Sequence, residues 1–182
     1  MSDYKKLAFV GGVGSGKTTI IRTLSETATI NTDKRSTVDI GKQFTTVGID
    51  YGRITLGDSM ALGLYGVPGQ RRFSMLWDHI NHSLWGIVFL VRYTESPDVE
   101  DLSEIINFFD PVGHQTPFLI GLTHSDLAED EDVEAVAEIL QQHLINHHLP
   151  AAVVAVDCTS FDSSMHIPLI VNALHQSRQS AS

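Results

Sequence analysis

The sequence predicts an α/β fold of three layers, with a mainly parallel sheet and one antiparallel edge strand. Apolar segments of strand length alternate along the 182 residues with segments of helical periodicity. Such alternation is typical of a sheet that is covered by helices on both faces. The segment 84–91 is a continuous apolar run, as expected of a strand buried on both sides. Two strand segments flank Gly57-Asp58, and this turn predicts the hairpin that supplies the antiparallel strand.

The predicted elements follow one another without a repeat or a low-complexity linker. We expect strands at residues 5–10, 47–56, 60–66, 84–91, 117–122 and 151–156. We expect helices at residues 17–27, 72–83, 98–109, 131–146 and 168–176. Residues 28–45 are rich in threonine and charged side chains, which predicts a loop. The chain therefore reads as one domain, residues 1–176, followed by a frayed polar tail, residues 177–182.

Composition excludes several classes of protein. The net charge of −10 disfavours binding to nucleic acid, which requires cations that displace phosphate counterions. No apolar run approaches the roughly 20 residues of a membrane span, so we expect no integral membrane segment. Cys158 is the one cysteine, so there is no disulfide framework. The first residues lack a signal-peptide apolar region, and we expect a cytoplasmic protein.

A glycine-rich motif joins the first predicted strand to the first predicted helix. Gly11-x-x-x-x-Gly16-Lys17-Thr18 is the phosphate loop of P-loop NTPases, found here in the strand-loop-helix setting that the motif requires. Its glycines let backbone N–H groups surround a phosphate, and the helix amino end adds partial positive charge. We expect Lys17 to bridge the β- and γ-phosphates and Thr18 to bind Mg²⁺. The expected phosphate-binding residues are Gly11, Val13, Gly14, Ser15, Gly16, Lys17, Thr18 and Thr19.

With this loop in place, later segments resemble the Ras-like small GTPases. Thr46-Val47-Gly48-Ile49-Asp50-Tyr51 resembles their first switch, in which the threonine covers the γ-phosphate and touches Mg²⁺. Leu64-Tyr65-Gly66-Val67-Pro68-Gly69-Gln70 resembles their second switch, D-x-x-G-Q. The resemblance implies a Ras-like G domain that binds GTP and GDP with Mg²⁺. It assigns Lys17, Thr46 and Gln70 to hydrolysis, and the Gly69 N–H to the γ-phosphate.

Two segments stand where Ras-like GTPases recognise guanine. Thr123-His124-Ser125-Asp126 occupies the place of N-K-x-D, and Asp157-Cys158-Thr159 the place of the S-A-K loop. A carboxylate at Asp126 can accept hydrogen bonds from guanine N1–H and its exocyclic amine, a donor pair that adenine does not offer. The resemblance therefore places Thr123, His124, Asp126, Cys158 and Thr159 around the base. A helix cap is the alternative role for Asp126.

The second switch is closer still to that of the Mgl-type bacterial polarity GTPases and related prokaryotic small GTPases. This resemblance implies a protein effector or activator of the roadblock or longin type. Gly66 departs from the general pattern, because it replaces the aspartate that normally holds Mg²⁺ through water. We therefore expect a first-switch carboxylate, Asp50, to join Thr18 and Thr46 as a metal-site residue. An exposed, partner-binding Asp50 is the alternative.

Three functions compete on the sequence alone. A GTP/GDP switch with slow, partner-stimulated hydrolysis is the first, since no arginine directly precedes Thr46 to act on the phosphates. A GTP-binding scaffold (pseudo-GTPase) with little or no hydrolysis is the second, and Gly66 and Thr123 motivate it. A phosphate-loop kinase is the third, but Arg92 and Arg178 are the only arginines beyond Arg72 that could serve a lid.

Overall fold

The computed structural model describes residues 4–31, 37–39, 44–46, 49–57, 60–93 and 99–180. Within them, strands and helices alternate as expected. The strands are β1 (Tyr4–Gly11), β2 (Ile30–Asn31), β3 (Thr37–Asp39), β4 (Phe44–Thr46), β5 (Asp50–Leu56), β6 (Met60–Pro68), β7 (Leu84–Arg92), β8 (Phe118–Thr123) and β9 (Val153–Val156). The helices are α1 (Lys17–Leu24), α2 (Ser74–Ile80), α3 (Val99–Phe109), α4 (Asp130–Asn146) and α5 (Phe161–Ser180). Single 3₁₀ turns at Arg71–Phe73 and Ser125–Leu127 precede α2 and α4.

The main sheet has the strand order β2-β5-β6-β1-β7-β8-β9. Strands β6, β1, β7, β8 and β9 pair in parallel, and β5 runs antiparallel to β6. The two-residue β2 covers the outer edge of β5. The predicted fold class, a mainly parallel sheet with one antiparallel strand near its edge, is confirmed.

Each face of the sheet carries its own layer of core residues. Successive side chains of a strand point to opposite faces, and β1 accordingly sends Leu7 and Phe9 to one core and Ala8 and Val10 to the other. The first core is closed by α1 and α5. The second is closed by α2, α3 and α4, with Trp77 at its centre. The three-layer arrangement places the carboxyl ends of β1, β7, β8 and β9 at one edge, where ligands of such sheets bind.

The segment predicted as one loop, residues 28–45, contains short strands. β3 and β4 form a separate two-stranded sheet in which Thr46 pairs with Thr37. Thr46 ends β4 and Asp50 begins β5, so these two expected metal-site residues lie on different strands. Val47 and Gly48 lie outside the described residues, as does the Thr46 side chain.

The last helix also differs from its prediction. It begins at Phe161 rather than at Pro168, because Ser160 starts it: the Ser163 N–H donates to Ser160 Oγ at 3.2 Å, a capping contact. Pro168 lies inside the helix, where its missing N–H leaves the Ser164 carbonyl without its usual donor. The helix continues to Ser180, so residues 177–180 are not the frayed tail that was expected. Among the described helices, none is long and apolar enough to cross a membrane.

Candidate nucleotide-binding site

The phosphate loop links β1 to α1 through two glycines in the left-handed region. Gly14 has φ of 75° and Gly16 has φ of 99°, values that residues with a side chain rarely adopt. A Cβ on Gly16 would also lie 2.8 Å from Cys158 Sγ, so this turn has no room for a larger residue. Ser15, between the two glycines, is 2% exposed, whereas Val13 at the tip of the loop is 87% exposed. Helix α1 starts immediately afterwards, at Lys17.

Lys17 turns back into the loop that precedes it. Its Nζ donates to the carbonyl oxygens of Gly11 at 2.9 Å and Gly12 at 2.6 Å. Burial lowers the Lys17 pKa to about 8, and the nearby negative charge of Asp50 opposes this shift. A buried ammonium of this kind is ready to exchange carbonyl partners for phosphate oxygens, whose negative charge favours its protonated form.

Thr123 at the end of β8 stabilises the phosphate loop by a hydrogen bond to its backbone. Its hydroxyl donates to the carbonyl oxygen of Ser15 at 3.0 Å, and its oxygen lies 3.0 Å from His124 Nδ1. Thr123 is 1% exposed, so these hydrogen bonds satisfy a polar group inside the protein. His124 takes a left-handed conformation with φ of 58°, which turns the chain towards Ser125 and Asp126. Thr123 therefore acts on the loop backbone through the Ser15 carbonyl oxygen.

A second turn approaches from the end of β9. The Asp157 carboxylate accepts hydrogen bonds from the Thr159 hydroxyl at 2.7 Å and the Thr159 N–H at 2.8 Å. These bonds, the hydroxyl first, hold the pKa of Asp157 below its usual value. Burial raises the pKa of the Cys158 thiol to about 11, with the charge of Asp157 adding to the effect. Cys158 is thus a neutral, packed side chain under the loop, and its carbonyl oxygen accepts a hydrogen bond from Thr23.

These segments enclose a cavity of about 370 Å³, a size that suits a small-molecule ligand. Most of the residues that the sequence assigned to phosphate and base line it: Gly14, Gly16, Lys17, Thr18, Thr19, Thr123, His124, Asp126, Cys158 and Thr159. The other assigned residues, Gly11, Val13, Ser15 and Gly69, belong to or touch the loop without lining the cavity. Val156 and Asp157 also line the cavity, although the sequence did not assign them to the ligand. Their position at the end of a strand was the feature of the sequence that could have indicated it.

Asp126 lines the same cavity as Lys17 and lies in the 3₁₀ turn Ser125–Leu127. His124 precedes that turn and Glu129 precedes α4, so neither capping position belongs to Asp126. Its side chain is exposed, and the described part of the chain offers its carboxylate no hydrogen bond. The carboxylate is therefore available to a ligand, and the alternative role as a helix cap is not supported.

Asp50 occupies the space that Gly66 leaves open. The two residues are register partners across β5 and β6. A Cβ on Gly66 would lie 2.9 Å from Ile21 Cδ1, 3.1 Å from Asp50 Cβ and 3.3 Å from Asp50 Oδ2, so Asp50 shares this space with the end of Ile21. Thr18 Oγ1 donates to Asp50 Oδ2 at 2.5 Å, so the carboxylate sits at the start of α1. Asp50 is half-buried, and the expectation of a freely exposed Asp50 does not hold in this structure.

The segment after β6 is held against the phosphate loop. The Gly69 N–H donates to the carbonyl oxygen of Gly11 at 2.9 Å, and Trp77 Nε1 donates to the carbonyl oxygen of Pro68 at 2.8 Å. In this structure the Gly69 N–H is therefore bonded within the protein, and its assignment to the γ-phosphate stays a prediction. Gln70 follows, half-buried, in an extended conformation. The structure thus brings Gln70 next to the loop, whereas it does not place the Thr46 side chain.

Comparison with known proteins identifies this arrangement. The family model described as the ADP-ribosylation factor (Arf) family matches residues 2–174. No curated protein sequence matches the chain. The fold is similar to that of a bacterial selenocysteine-specific elongation factor, EF-Sec, with 22% identity, a TM-score of 0.71, and coverage of 96% of this chain and 29% of the other.

Two further solved structures share the fold. Elongation factor SelB from Methanococcus maripaludis, solved with the GTP analogue GppNHp, has 16% identity and a TM-score of 0.66, over 98% of this chain and 35% of the other. Era from Aquifex aeolicus, solved with GDP and aluminium fluoride, has 15% identity and a TM-score of 0.66, over 94% of this chain and 56% of the other. The chain spans between about a third and just over half of these proteins. The match across residues 2–174, together with a phosphate loop at the carboxyl edge of the sheet, means that this chain belongs to the Arf family of small GTP-binding proteins.

Proposed function

We propose that this protein is a GTP/GDP molecular switch of the Mgl-type bacterial group, with slow hydrolysis that a protein partner accelerates. The observation that carries the proposal is the single cavity that joins Lys17 at the phosphate loop to Asp126 beyond β8. A nucleotide fits this arrangement because its phosphates and its base are recognised at opposite ends. We place the protein in the cytoplasm, where GTP is available.

Guanine is the base that Asp126 favours. Asp126 presents an exposed carboxylate that accepts hydrogen bonds and donates none. Guanine offers a pair of donors to such a group, whereas adenine would leave the carboxylate facing an acceptor. A site that leaves a polar group unpaired with the wrong ligand discriminates by a factor on the order of 10⁴. Cys158 and Thr159 line the same cavity as Asp126.

Mg²⁺ fits the oxygen donors beside the phosphate loop. Mg²⁺ prefers hard oxygen ligands and is commonly held by one or two carboxylates together with phosphate oxygens. The Thr18 hydroxyl and the Asp50 carboxylate are already in contact at 2.5 Å, and Asp50 fills the place beside Gly66. We therefore propose Thr18 and Asp50 as the residues that hold the ion, with Thr46 as a third. When bound, Mg²⁺ neutralises charge on the β- and γ-phosphates.

Hydrolysis depends on residues at the phosphate end. Lys17 would contact the phosphate oxygens, and Thr46 would cover the γ-phosphate from the first switch. Gln70 follows Gly69 next to the loop and would orient the attacking water. For the Gly69 N–H to reach a phosphate, its bond to Gly11 must open, which couples the second switch to the nucleotide. No arginine directly precedes Thr46, and arginine fingers contribute about 10³–10⁵ in rate. We therefore propose an effector or activator of the roadblock or longin type.

A GTP-binding scaffold with little or no hydrolysis is the second candidate. The bond between the Gly69 N–H and Gly11 favours it, because a second switch that stays in this position offers no donor to the γ-phosphate. Gly66, which lacks a carboxylate, favours it too. The two candidates bind the same nucleotide and differ in turnover.

Phosphate release under multiple-turnover conditions separates them. The protein is freed of nucleotide and mixed with excess GTP and Mg²⁺, and inorganic phosphate is followed with time. We expect continued turnover at less than about 1 per second. A faster rate in the protein alone would leave no need for a partner that accelerates hydrolysis. Gln70→Leu should abolish it, and the matched control Gln142→Leu, on an exposed part of α4, should not. Phosphate release that stops within the first turnover would favour the scaffold.

A further inference from the structure

Arg92 ends β7, the strand beside the one that leads into the phosphate loop. Its register partner on β8 is Thr123, which braces that loop. A Cβ built on Gly14 would lie 3.5 Å from Arg92 Nη1. The guanidinium therefore packs directly against the loop at Gly14, the residue whose positive φ shapes it.

The guanidinium is incompletely satisfied. Its Nε is buried and has no hydrogen-bond partner within the described part of the chain. Within the described residues no carboxylate forms an ion pair with Arg92, whereas Arg71 pairs with Glu104. A guanidinium stays protonated at any pH relevant to proteins. A partly buried cation without a countercharge is costly, so such a group usually marks a place where negative charge arrives.

The cavity needs more positive charge than its lining supplies. Lys17 is the lysine of the lining, while Asp126 and Asp157 bring two carboxylates. The whole chain carries a net charge of −10, which repels an anionic ligand further. A nucleoside di- or triphosphate on the loop would place several negative charges beside Gly14, close to Arg92.

We propose that Arg92 is a second cationic anchor of the phosphate site, which favours nucleoside polyphosphates through its charge behind Gly14. The proposal rests on the nucleotide binding proposed above and adds a residue that the loop motif does not contain. The positive charge of Arg92 attracts the negatively charged ligand, and the bound polyphosphate is its counter-ion. Position 14 requires a glycine because of its φ of 75°, and a Cβ there would be in ordinary van der Waals contact with the guanidinium.

The test measures affinity for GDP, GTP and guanosine as a function of KCl concentration, without nucleotide carried over from purification. Arg92→Met keeps much of the side-chain length and removes the charge. We expect GDP and GTP to bind roughly tenfold to thirtyfold more weakly, as for charges several ångström apart in a partly screened site. Guanosine affinity should not change, and the dependence of log Kd on log salt should become shallower.

Two variants and one further measurement complete the design. Arg53→Met removes one positive charge from an exposed position of β5 and should leave all three affinities unchanged. Arg92→Lys keeps the charge and should bind within about threefold of the original protein. If Arg92→Met does not fold, this lysine variant carries the test, and a loss of tenfold or more in it would overturn a role based on charge.

Other outcomes are equally decisive. Equal GDP affinity in Arg92→Met and Arg53→Met would overturn the inference. An equal loss of affinity for GDP and guanosine in Arg92→Met would also overturn it, because that result indicates a distorted loop. A lowered melting temperature of the nucleotide-free protein with unchanged GDP affinity would make Arg92 a purely structural residue. Failure of the unaltered protein to bind any guanine nucleotide would instead refute the proposed function.

Discussion

The two sides of the phosphate site reach their geometry by different routes. The phosphate loop is one contiguous segment whose glycines and lysine set its own backbone, and Lys17 already bonds to the carbonyls of Gly11 and Gly12. The metal side is assembled from separate elements, with Asp50 of β5 facing Gly66 of β6 and bonded to Thr18 of α1. The difference teaches that the effect of a missing motif residue depends on which side chains fill the space that it would occupy. At Gly66 that space holds the Asp50 carboxylate from the neighbouring strand together with the end of the Ile21 side chain.

Removal of Lys17 is the largest change that we predict. Lys17→Ala should weaken GDP and GTP binding by a factor of about 10²–10⁴, because charge-assisted hydrogen bonds contribute about 1.5–3 kcal/mol each and two are lost. Calorimetric titration measures the effect, with Lys6→Ala on β1 as the matched control. Unchanged affinity in Lys17→Ala would mean that phosphates do not bind in the loop.

Asp126 tests the base end of the cavity, which depends on side chains rather than on backbone. Asp126→Asn should weaken GTP binding by a factor on the order of 10²–10³ and favour xanthosine triphosphate, since an amide both donates and accepts. Competition between the two triphosphates gives the preference. Asp130→Asn, at the exposed start of α4, is the control and should bind GTP normally. Retained GTP affinity in Asp126→Asn would remove this residue from the site.

Substitutions at Asp50 and Gly66 test the metal side of the site most sharply. Asp50→Ala should raise the Mg²⁺ concentration that half-maximally slows GDP release about tenfold, the size of one charged ligand contact. Asp78→Ala on the exposed face of α2 should not. Gly66→Asp alone should also impair Mg²⁺-dependent retention of GDP, because its Cβ would crowd Ile21 Cδ1 at 2.9 Å and Asp50 Cβ at 3.1 Å.

The double variant Asp50→Gly with Gly66→Asp should recover much of the Mg²⁺ dependence, since the carboxylate then reaches the same space from β6. A Mg²⁺ curve that does not move in Asp50→Ala, combined with lost partner binding, would assign Asp50 to an interface instead.

Protonation of Lys17 gives the smallest predicted effect. Burial lowers its pKa to about 8 in the free protein, and bound phosphates should raise it again. Binding of GDP therefore takes up a fraction of a proton that grows as pH rises through 8, and affinity falls over the same range. Linkage predicts uptake of roughly 0.25 proton at pH 7.5 and roughly 0.75 at pH 8.5. Calorimetry in buffers of different ionisation enthalpy measures it; equal uptake at both pH values would contradict the assignment.

The sequence predicted the parallel strands and the phosphate loop because each is a local pattern. Val88 and its neighbours on β7 form a continuous apolar run, and Gly11 to Thr18 is a contiguous motif. Contacts that depend on packing were beyond such patterns. The approach of Asp50 to Gly66 depends on the register of a hairpin, and that of Arg92 to Gly14 on the neighbouring positions of β1 and β7. The predicted start of helix α5 was too late in the sequence because Pro168 is of a type common in the first turn of helices. The helix in fact starts after Ser160, which caps it.

Competition binding tests the guanine-nucleotide switch most directly. The protein, freed of its nucleotide and supplied with Mg²⁺, is loaded with fluorescent GDP, which is then displaced by GTP, GDP or ATP over a range of concentrations. We predict that GTP and GDP displace it and that ATP does so only at concentrations on the order of 10³–10⁴ times higher, because adenine offers Asp126 no donor pair. Displacement by ATP at the same concentration as GTP would contradict guanine recognition at this site.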